Sequence, residues 1–325
     1  MTSPNGVVSN EIFSEIEYDL LTIGNHELYV TEIAYETFAN FSKTYGDRYL
    51  TSNVQIMNKE SGNWEDIGQK YRYFHTKHGL RVMSFGVLFD FDGNSNVSKI
   101  TFAEDMIKEK WFTDAVNFPE PIDLFLVIGH NPVRANATGS TLQTVRDAIR
   151  EMRPDIPIQI FGGHQHIRDF TVYDEMSTGL ASGRYCETLG WLAMTGIESP
   201  TFSGEMKPSG VPNPDRKAHM PPSKPAEGTK LARENKSTMR YARRYLDWNR
   251  LTFAYHAAHS QDADLDTRHG EHVTHDITDA RKDLNISYTY GCAPRTYCIS
   301  CQPFAPHDIT DGHLHVCRRK TAEVP

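Results

Sequence analysis

Short apolar runs recur along the first half of the chain, and several of them end at a glycine. Such runs of Leu, Ile, Val and Phe are typical of buried parallel strands, and the amphipathic stretches between them predict helices. The predicted strands are 18–23, 81–91 (a strand pair region), 123–128, 158–161 and several short ones over 170–195. The predicted helices are 31–45, 103–116 and 140–152, the last opened by a capping box at Ser140. This alternation predicts an α/β fold.

Histidines follow three of these predicted strands directly. The turns are Gly24-Asn25-His26-Glu27, Gly129-His130 and Gly162-Gly163-His164-Gln165-His166. Each turn alone is more often an ordinary turn with a hydrogen-bonded histidine. Ligands of open α/β sheets bind outside the carboxyl ends of the strands, where imidazole and amide groups from three strands can converge. Taken together, the three turns therefore predict a metal site.

These turns resemble the motifs of the calcineurin-like metallophosphoesterases, and residues 19–29 are most similar to the fungal branch related to 5′-nucleotidases. The resemblance implies a metallophosphoesterase-type β-sandwich flanked by helices, with two divalent metal ions (Zn, Mn, Mg or Fe). It implies that Asn25, His130 and His164 are ligands of one metal and that His166 is a ligand of the other. It also implies that His26 stabilises the transition state or protonates the leaving oxygen.

The family pattern also contains Asp-x-His and Gly-Asp-x-x-Asp motifs after its first two strands, which supply further ligands and a carboxylate that bridges the metals. Neither motif precedes residue 18, where the carboxylates are Glu11, Glu15 and Glu17. We therefore expect an incomplete sandwich, with about 100 residues of the family's catalytic domain missing from its start. Because neutral ligands leave a cation's charge uncompensated, we expect the chain to hold at most one metal ion, weakly.

A proline-rich segment divides the chain, with seven prolines between residues 200 and 225. We predict a catalytic domain over 1–198, a loop or linker over 199–238 and a partial C-terminal α+β domain over 239–325. By resemblance, this last region is the start of a nucleotidase substrate domain. Its aromatic residues between 241 and 258 either stack on a nucleotide base or pack into a core. Basic residues such as Arg240, Arg243 and Arg244 either form an anion-binding patch or belong to a solvated linker.

The composition limits the possible partners. No apolar run approaches about 20 residues, so we expect no membrane span. The net charge of −8 argues against binding to a nucleic acid polymer. The first residues lack a charged segment followed by an apolar one, so we expect no signal peptide in this chain. The partner that remains is a phosphorylated small molecule, a nucleotide by resemblance.

Glycosylation sequons and cysteines bear on the compartment. The five sequons are at Asn40, Asn96, Asn136, Asn235 and Asn285. Together with the family resemblance, they predict a secreted or vacuolar protein. Three of the five cysteines, Cys292, Cys298 and Cys301, lie close together, where a disulfide is favoured over free thiols or a metal site. The histidines and aspartates of residues 307–317 either chelate a metal or form a polar tail.

Two classes of function stay open. The first is a metal-dependent phosphoester hydrolase of the 5′-nucleotidase type, which converts a nucleoside monophosphate to nucleoside and phosphate. The second is a catalytically dead remnant, or a non-enzymatic binding protein, that retains the fold.

Overall fold

The computed structural model describes residues 4–184, 186–204, 211–212, 239–259, 265–289 and 291. The chain forms two compact units, residues 3–266 and residues 267–325 together with 1–2. Within the described part of the second unit, Arg268–Asp283 is a helix whose first turn is capped by Thr267, since its hydroxyl accepts a hydrogen bond from the Gly270 amide at 3.0 Å. All the other elements belong to the first unit.

The elements of the described residues are numbered in chain order. The strands are β1 Leu21–Thr22, β2 Tyr49–Leu50, β3 Val54–Met57, β4 Trp64–Asp66, β5 Tyr71–His75, β6 Arg81–Leu88, β7 Ser98–Ile100, β8 Leu124–His130, β9 Ile158–Gly162, β10 Arg168–Asp174, β11 Ser177–Ser182, β12 Thr188–Thr195, β13 Val211–Pro212 and β14 Arg240–Asp247. The helices are α1 Val7–Ser14, α2 Thr31–Glu36, α3 Ser42–Tyr45, α4 Ala103–Met106, α5 Lys110–Val116, α6 Leu142–Met152, α7 Arg250–Ala257 and α8 Arg268–Asp283. The π-helical turn Thr37–Phe41 joins α2 to α3, and 3₁₀ turns lie at Asn25–Leu28 and Gly46–Arg48.

A six-stranded mixed sheet forms the centre of the first unit, in the order β10-β11-β9-β8-β6-β5. Strands β11, β9, β8 and β6 are parallel neighbours, and the edge strands β10 and β5 are antiparallel to theirs. The carboxyl ends of β6, β8 and β9 therefore lie on one edge of the sheet. Smaller sheets are formed by β12-β14-β13, by β4-β3-β7 and by the parallel pair β1-β2. The predicted α/β organisation is confirmed.

Apolar side chains pack on both faces of this sheet, because successive residues of a strand point to opposite sides. On one face, Met83, Phe85 and Val87 of β6 pack with side chains of β8, β9 and helices α4 to α6. On the other face, Leu88 packs with residues of the β1, β2 and β3 segments. The members of this second core are Ile23, Leu28, Ala34, Tyr45, Tyr49, Val54, Ile56, Ile67 and Leu88. The fold thus has a helical layer and a second layer on either side of one sheet.

Beyond Phe85, the residues between β2 and β3 lie beside β6 in place of β5. Strand β5 pairs with β6 only as far as Phe85. Beyond that point, the Ser52 amide donates to the Gly86 carbonyl at 2.7 Å, and the Ser52 hydroxyl accepts from the Gly86 amide at 2.9 Å. The Asn53 side chain then accepts from the Leu88 amide at 3.0 Å and donates to the Leu88 carbonyl at 2.9 Å. These bonds fix the end of β6 against the second layer.

Four predicted elements differ from the structure. The strand pair region expected over 81–91 is the single strand β6, and the helix expected over 103–116 is divided into α4 and α5. The strand expected at 18–23 is reduced to β1, which pairs with β2 and does not join the central sheet. The predicted capping box at Ser140 is wrong, because α6 begins at Leu142 and neither hydroxyl caps it. Instead, the Ser140 hydroxyl donates to the Pro132 carbonyl at 3.0 Å, and the Thr141 hydroxyl accepts from Asn131 Nδ2 at 2.6 Å. Both hydroxyls therefore hold the loop that follows His130.

Strand β14 pairs with β12 along eight residues, from Thr188 with Asp247 to Thr195 with Arg240. This pairing joins residues on the two sides of segment 199–238, and the predicted division into three regions stays a prediction. Two of the predicted linker arginines lie on β14 over aromatic rings, Arg243 at 4.1 Å from the Phe170 centroid and Arg244 at 5.8 Å from that of Trp191.

Several predicted features fall outside the described residues. These are the cysteine group Cys292, Cys298 and Cys301 and the tail over 307–317. Within the described part of the chain, no helix combines the length and apolar character that crossing a membrane requires.

Candidate functional site

The carboxyl ends of β8 and β9 bring His130 and His164 together. The two strands are parallel neighbours, and His130 is the last residue of β8 while His164 follows β9 by two residues. The turns meet closely because Gly162 has no side chain. A Cβ there would lie 2.6 Å from the carbonyl oxygen of Asn131, and the Gly163 amide donates to that same oxygen at 2.9 Å. The glycines of the sequence motif are thus explained by the approach of the two loops.

The imidazoles of His130 and His164 face each other. Nε2 of His130 lies 3.2 Å from Nδ1 of His164, and the ring planes are inclined by 70°. As a hydrogen bond, this contact has an N–H of one neutral ring donating to the unprotonated nitrogen of the other. Two nitrogen ligands of one metal ion, each about 2.0–2.1 Å from it, would be about 2.8–3.4 Å apart at octahedral or tetrahedral angles. The observed separation therefore suits joint coordination as well as a hydrogen bond.

Asn25 belongs to the second layer, and the residue before it packs on His130. It begins the 3₁₀ turn after β1, and the preceding Gly24 packs on His130, since a Cβ on Gly24 would lie 3.3 Å from His130 Nδ1. Asn25 is 4% exposed, and its Nδ2 donates a hydrogen bond to the hydroxyl of Tyr29. Its Oδ1 is buried and has no hydrogen-bond partner. A buried carbonyl oxygen without a partner is unfavourable, and amide oxygens are common ligands of cations.

His26 and His166 border this group. Both side chains are exposed; the His26 ring lies 5.2 Å from that of Tyr29, and Nδ1 of His166 lies 3.2 Å from an Arg184 guanidinium nitrogen. A charge on His26 contributes to the lowered pKa of His130 and of His166, so these rings are within electrostatic range. The structure thus brings His130 and His164 into contact and places His26 and His166 within electrostatic range of them, whereas Asn25 is next to the glycine that packs on His130.

The environment keeps the central imidazoles neutral. Burial, followed by the charges of His164, His26 and His166, lowers the pKa of His130 to about 4. The pKa of His164 is also lowered, first by burial and then by His166 and His26. Desolvation and like charges both disfavour the imidazolium form. Neutral imidazole is the form that binds metal ions, so the two rings are in the required state at pH 7.

The loop after β9 has an unusual backbone. His164 and His166 have φ values of 68° and 61°, in the left-handed region. A non-glycine residue held in this region costs about 1–3 kcal/mol, and such residues are concentrated at binding sites and active sites. The alternation of this conformation at 164 and 166 is one more sign that the turn has a functional role.

Aromatic residues that the sequence analysis did not single out line the group. Phe89 follows β6 and stacks on His164, with centroids 4.0 Å apart, and Phe91 stacks on Phe89 at 5.0 Å. Tyr29 packs edge to face on Phe91, with centroids 6.0 Å apart, and its ring also packs against the ring of His26. We call the sequence of contacts His164, Phe89, Phe91, Tyr29 and His26 the aromatic row. The pattern that could have revealed it is the pair of phenylalanines directly after a buried strand.

Carboxylates contribute little to the donor set. Oε2 of Glu27 accepts from the Gly24 amide at 2.9 Å, and Oδ1 of Asp90 accepts from the Ala103 amide at 2.9 Å. Both carboxylates therefore form hydrogen bonds with backbone amides. Among the residues that the structure describes, no three His, Cys, Asp or Glu side chains form a group that could hold a metal ion. The candidate donors are one amide oxygen and two imidazoles, a set that suits a single divalent cation.

A family model and several known proteins are similar to this chain. The family model described as calcineurin-like phosphoesterase matches residues 4–168. A protein of Arthroderma benhamiae named "Secreted protein" is 64% identical over 311 residues, which cover 93% of this chain and 46% of that protein. An uncharacterized protein of Schizosaccharomyces pombe is 42% identical over 296 residues, 91% of this chain and 47% of that protein. The chain thus spans about half the length of the curated relatives it matches.

A solved structure is also similar. The crystal structure of a 5′-nucleotidase from Candida albicans matches with a TM-score of 0.69 and 37% sequence identity. The match covers 87% of this chain and 45% of that one.

Proposed function

We propose that this chain, which belongs to the calcineurin-like phosphoesterase family, forms part of a metal-dependent hydrolase of phosphoric monoesters. The resemblance to metallophosphoesterases related to 5′-nucleotidases, first drawn from the histidine turns, is confirmed by the family match and by the Candida structure. One observation carries the proposal of a metal site: the imidazoles of His130 and His164 face each other, and Asn25, whose buried Oδ1 has no partner, directly follows the glycine that packs on His130.

We assign one divalent cation to Asn25, His130 and His164. When bound, such a cation would polarise a phosphoryl oxygen and lower the pKa of a water molecule. Proteins of this family generally use divalent metals, and imidazole ligands favour Zn or Fe over Mg. We assign His166 to the second metal of the complete family site, although no three His, Cys, Asp or Glu side chains of the described residues form a group that could hold it.

His26 acts on the substrate in this proposal. Its ring is exposed at the border of the group and packs against Tyr29, so a phosphate ester can approach it from solvent. From this position, His26 would stabilise charge on the phosphoryl oxygens or give a proton to the leaving oxygen.

A nucleoside monophosphate is the substrate that we propose, and the relation to 5′-nucleotidases supports it. Of the aromatic residues after position 240, Tyr241 is buried and the Tyr245 hydroxyl donates to the Asp169 carbonyl at 2.6 Å. Trp248 and Tyr255 are 63% and 62% exposed. Stacking of a base on such a ring contributes about 1–3 kcal/mol. Secretion of the protein is a further proposal, supported by the name of the Arthroderma relative and by the sequons.

Calorimetric titration with Mn²⁺ and Zn²⁺ tests the metal site. We expect His130→Ala and His164→Ala to weaken binding by at least about 10-fold, the scale that even outer-shell changes produce. His75→Ala is the matched control, because this exposed histidine lies on the edge strand β5. Equal affinities of all four proteins would contradict the assignment.

Hydrolysis of AMP and of glycerol phosphate tests the reaction. A metal-loaded chain that turns over AMP, loses this activity in His26→Ala and prefers AMP to glycerol phosphate would support the full proposal. The second candidate is a binding protein that retains the fold without catalysis, and the small donor set of the described residues favours it. Metal binding with turnover no faster than that of His26→Ala would establish this alternative.

A further inference from the structure

Tyr29 contacts both a proposed metal ligand and the proposed catalytic histidine, and we propose that it is a positioning residue for both. Its hydroxyl accepts a hydrogen bond from Asn25 Nδ2, and its ring packs against the His26 ring at 5.2 Å. The inference rests on the proposed function, because it assigns Tyr29 a role toward the residues of that site.

The contact with Asn25 bears on the orientation of its side-chain amide. An asparagine side chain has an oxygen that binds cations and an NH₂ group that cannot, and the two ends have nearly the same shape. Rotation of the amide by about 180° would therefore exchange a ligand for a repulsive donor. Since the Tyr29 hydroxyl accepts from Nδ2, the oxygen is the end left buried without a partner. In this arrangement Tyr29 holds the NH₂ end of the amide, and the oxygen end is left for a cation.

The ring of Tyr29 has a separate role. It meets Phe91 edge to face, with the planes inclined by 89°, and lies at 56° to the exposed imidazole of His26. Phe91 is in turn stacked on Phe89, which stacks on His164. The aromatic row therefore restricts the rotamers of His26 from one side, and the phenylalanines that support it also support a proposed metal ligand.

Two variants separate these roles. Tyr29→Phe keeps the ring and removes the hydroxyl, whereas Tyr29→Leu removes both. Tyr35→Phe is the matched control, because the Tyr35 hydroxyl donates to the Met57 carbonyl at 2.9 Å, so this substitution likewise removes one hydroxyl and its hydrogen bond.

NMR of the metal-free chain tests the contacts directly. With selective ¹⁵N-asparagine labelling, the Nδ2 signals of Asn25 should shift, and their protons should exchange faster, in Tyr29→Phe but not in Tyr35→Phe. The His26 ring signals should shift in Tyr29→Leu and stay near the wild-type position in Tyr29→Phe. Unchanged Asn25 signals in Tyr29→Phe would overturn the inference.

Mn²⁺ titration tests what the orientation does. Loss of one hydrogen bond predicts about 2- to 10-fold weaker Mn²⁺ binding in Tyr29→Phe. In an Asn25→Ala background there is no amide for Tyr29 to hold, so the same substitution should cause little or no further loss. A purely structural role of Tyr29 would give the same loss in both backgrounds, and that result, like the lack of any loss, would overturn the positioning role.

Failure of the proposed function gives a different pattern. If the wild-type chain binds no Mn²⁺, the assignment of the metal ligands to this chain fails, while the Asn25 and His26 signals still decide whether Tyr29 positions the two side chains.

Discussion

The Asn53→Ala variant should destabilise the first unit, because the Asn53 side chain forms hydrogen bonds with both backbone groups of Leu88, the last residue of β6. Its Nδ2 donates to the carbonyls of Leu88 and Thr101 at 2.9 and 3.1 Å, and its Oδ1 accepts from the Leu88 amide at 3.0 Å. Asn53 is 2% exposed and Leu88 is fully buried. Alanine would therefore leave both backbone groups of Leu88 without these partners.

The magnitude follows from the number of groups left unpaired. A buried donor or acceptor that loses its partner costs about 1–3 kcal/mol, so the two groups of Leu88 together give about 2–6 kcal/mol. A water molecule in the space of the deleted amide would offset part of this. We therefore expect the free energy of unfolding to fall by about 2–4 kcal/mol, a large fraction of the roughly 5–15 kcal/mol that stabilises a typical domain.

Urea unfolding followed by tryptophan fluorescence measures this loss, which should lower the midpoint and leave the slope unchanged. Gln55→Ala is the matched control, since Gln55 is only partly buried and its Nε2 donates to the Asp66 carboxylate at 3.0 Å. We expect the control to lose less than about 1 kcal/mol. If Asn53→Ala were as stable as the control, the inferred role of Asn53 beside β6 would be refuted.

Three further predictions concern the candidate site. Because burial and neighbouring charges lower the pKa of His130 to about 4, the unfolded chain binds a proton below pH 6.5 that the folded chain does not. The stability of the wild type relative to His130→Gln should therefore fall as the pH drops from about 6.5 toward 4, by at most about 1.4 kcal/mol per unit, and a pH-independent difference in urea unfolding would contradict it. Gly162→Ala places a Cβ 2.5 Å from Val133 Cγ1, so it should cost about 1–3 kcal/mol and weaken Mn²⁺ binding, whereas wild-type values would show that the loops can separate freely. Phe89→Leu removes a ring contact of about 0.5–1.5 kcal/mol and should shift the NMR signals of His164, and unchanged signals would exclude stacking in solution.

The meeting of His130 and His164 could be predicted from the sequence because it depends on local pattern and one rule of topology. Each histidine follows an apolar run, and the helix between the runs makes the strands parallel neighbours, so both turns lie on the same sheet edge. The helical stretch 31–45 was predictable for a similar reason, since its apolar stripe faces the second core.

The surroundings of the site could not be predicted in this way. Strand β1 is only two residues long, and it pairs with β2. The sequence of so short a strand does not specify which strand it pairs with. The aromatic row joins residues 26, 29, 89, 91 and 164, which hydrophobic periodicity cannot pair because it reports which face is buried and not what lies against it. The hydroxyls of Ser140 and Thr141 matched a helix start, but the loop after His130 competes for them.

The residues of the candidate site come from both cores of the fold, so a bound cation would link the two layers. Asn25 lies between Ile23 and Leu28 of one core, whereas His130 and His164 follow strands whose side chains fill the other core. A cation held by all three would be a removable cross-link between layers that otherwise rely on noncovalent packing. A ligand present at 100 times its dissociation constant adds about 2.7 kcal/mol to the stability of the state that binds it. The thermal tolerance of the protein would then vary with the supply of metal in its surroundings, whether or not any ester is hydrolysed.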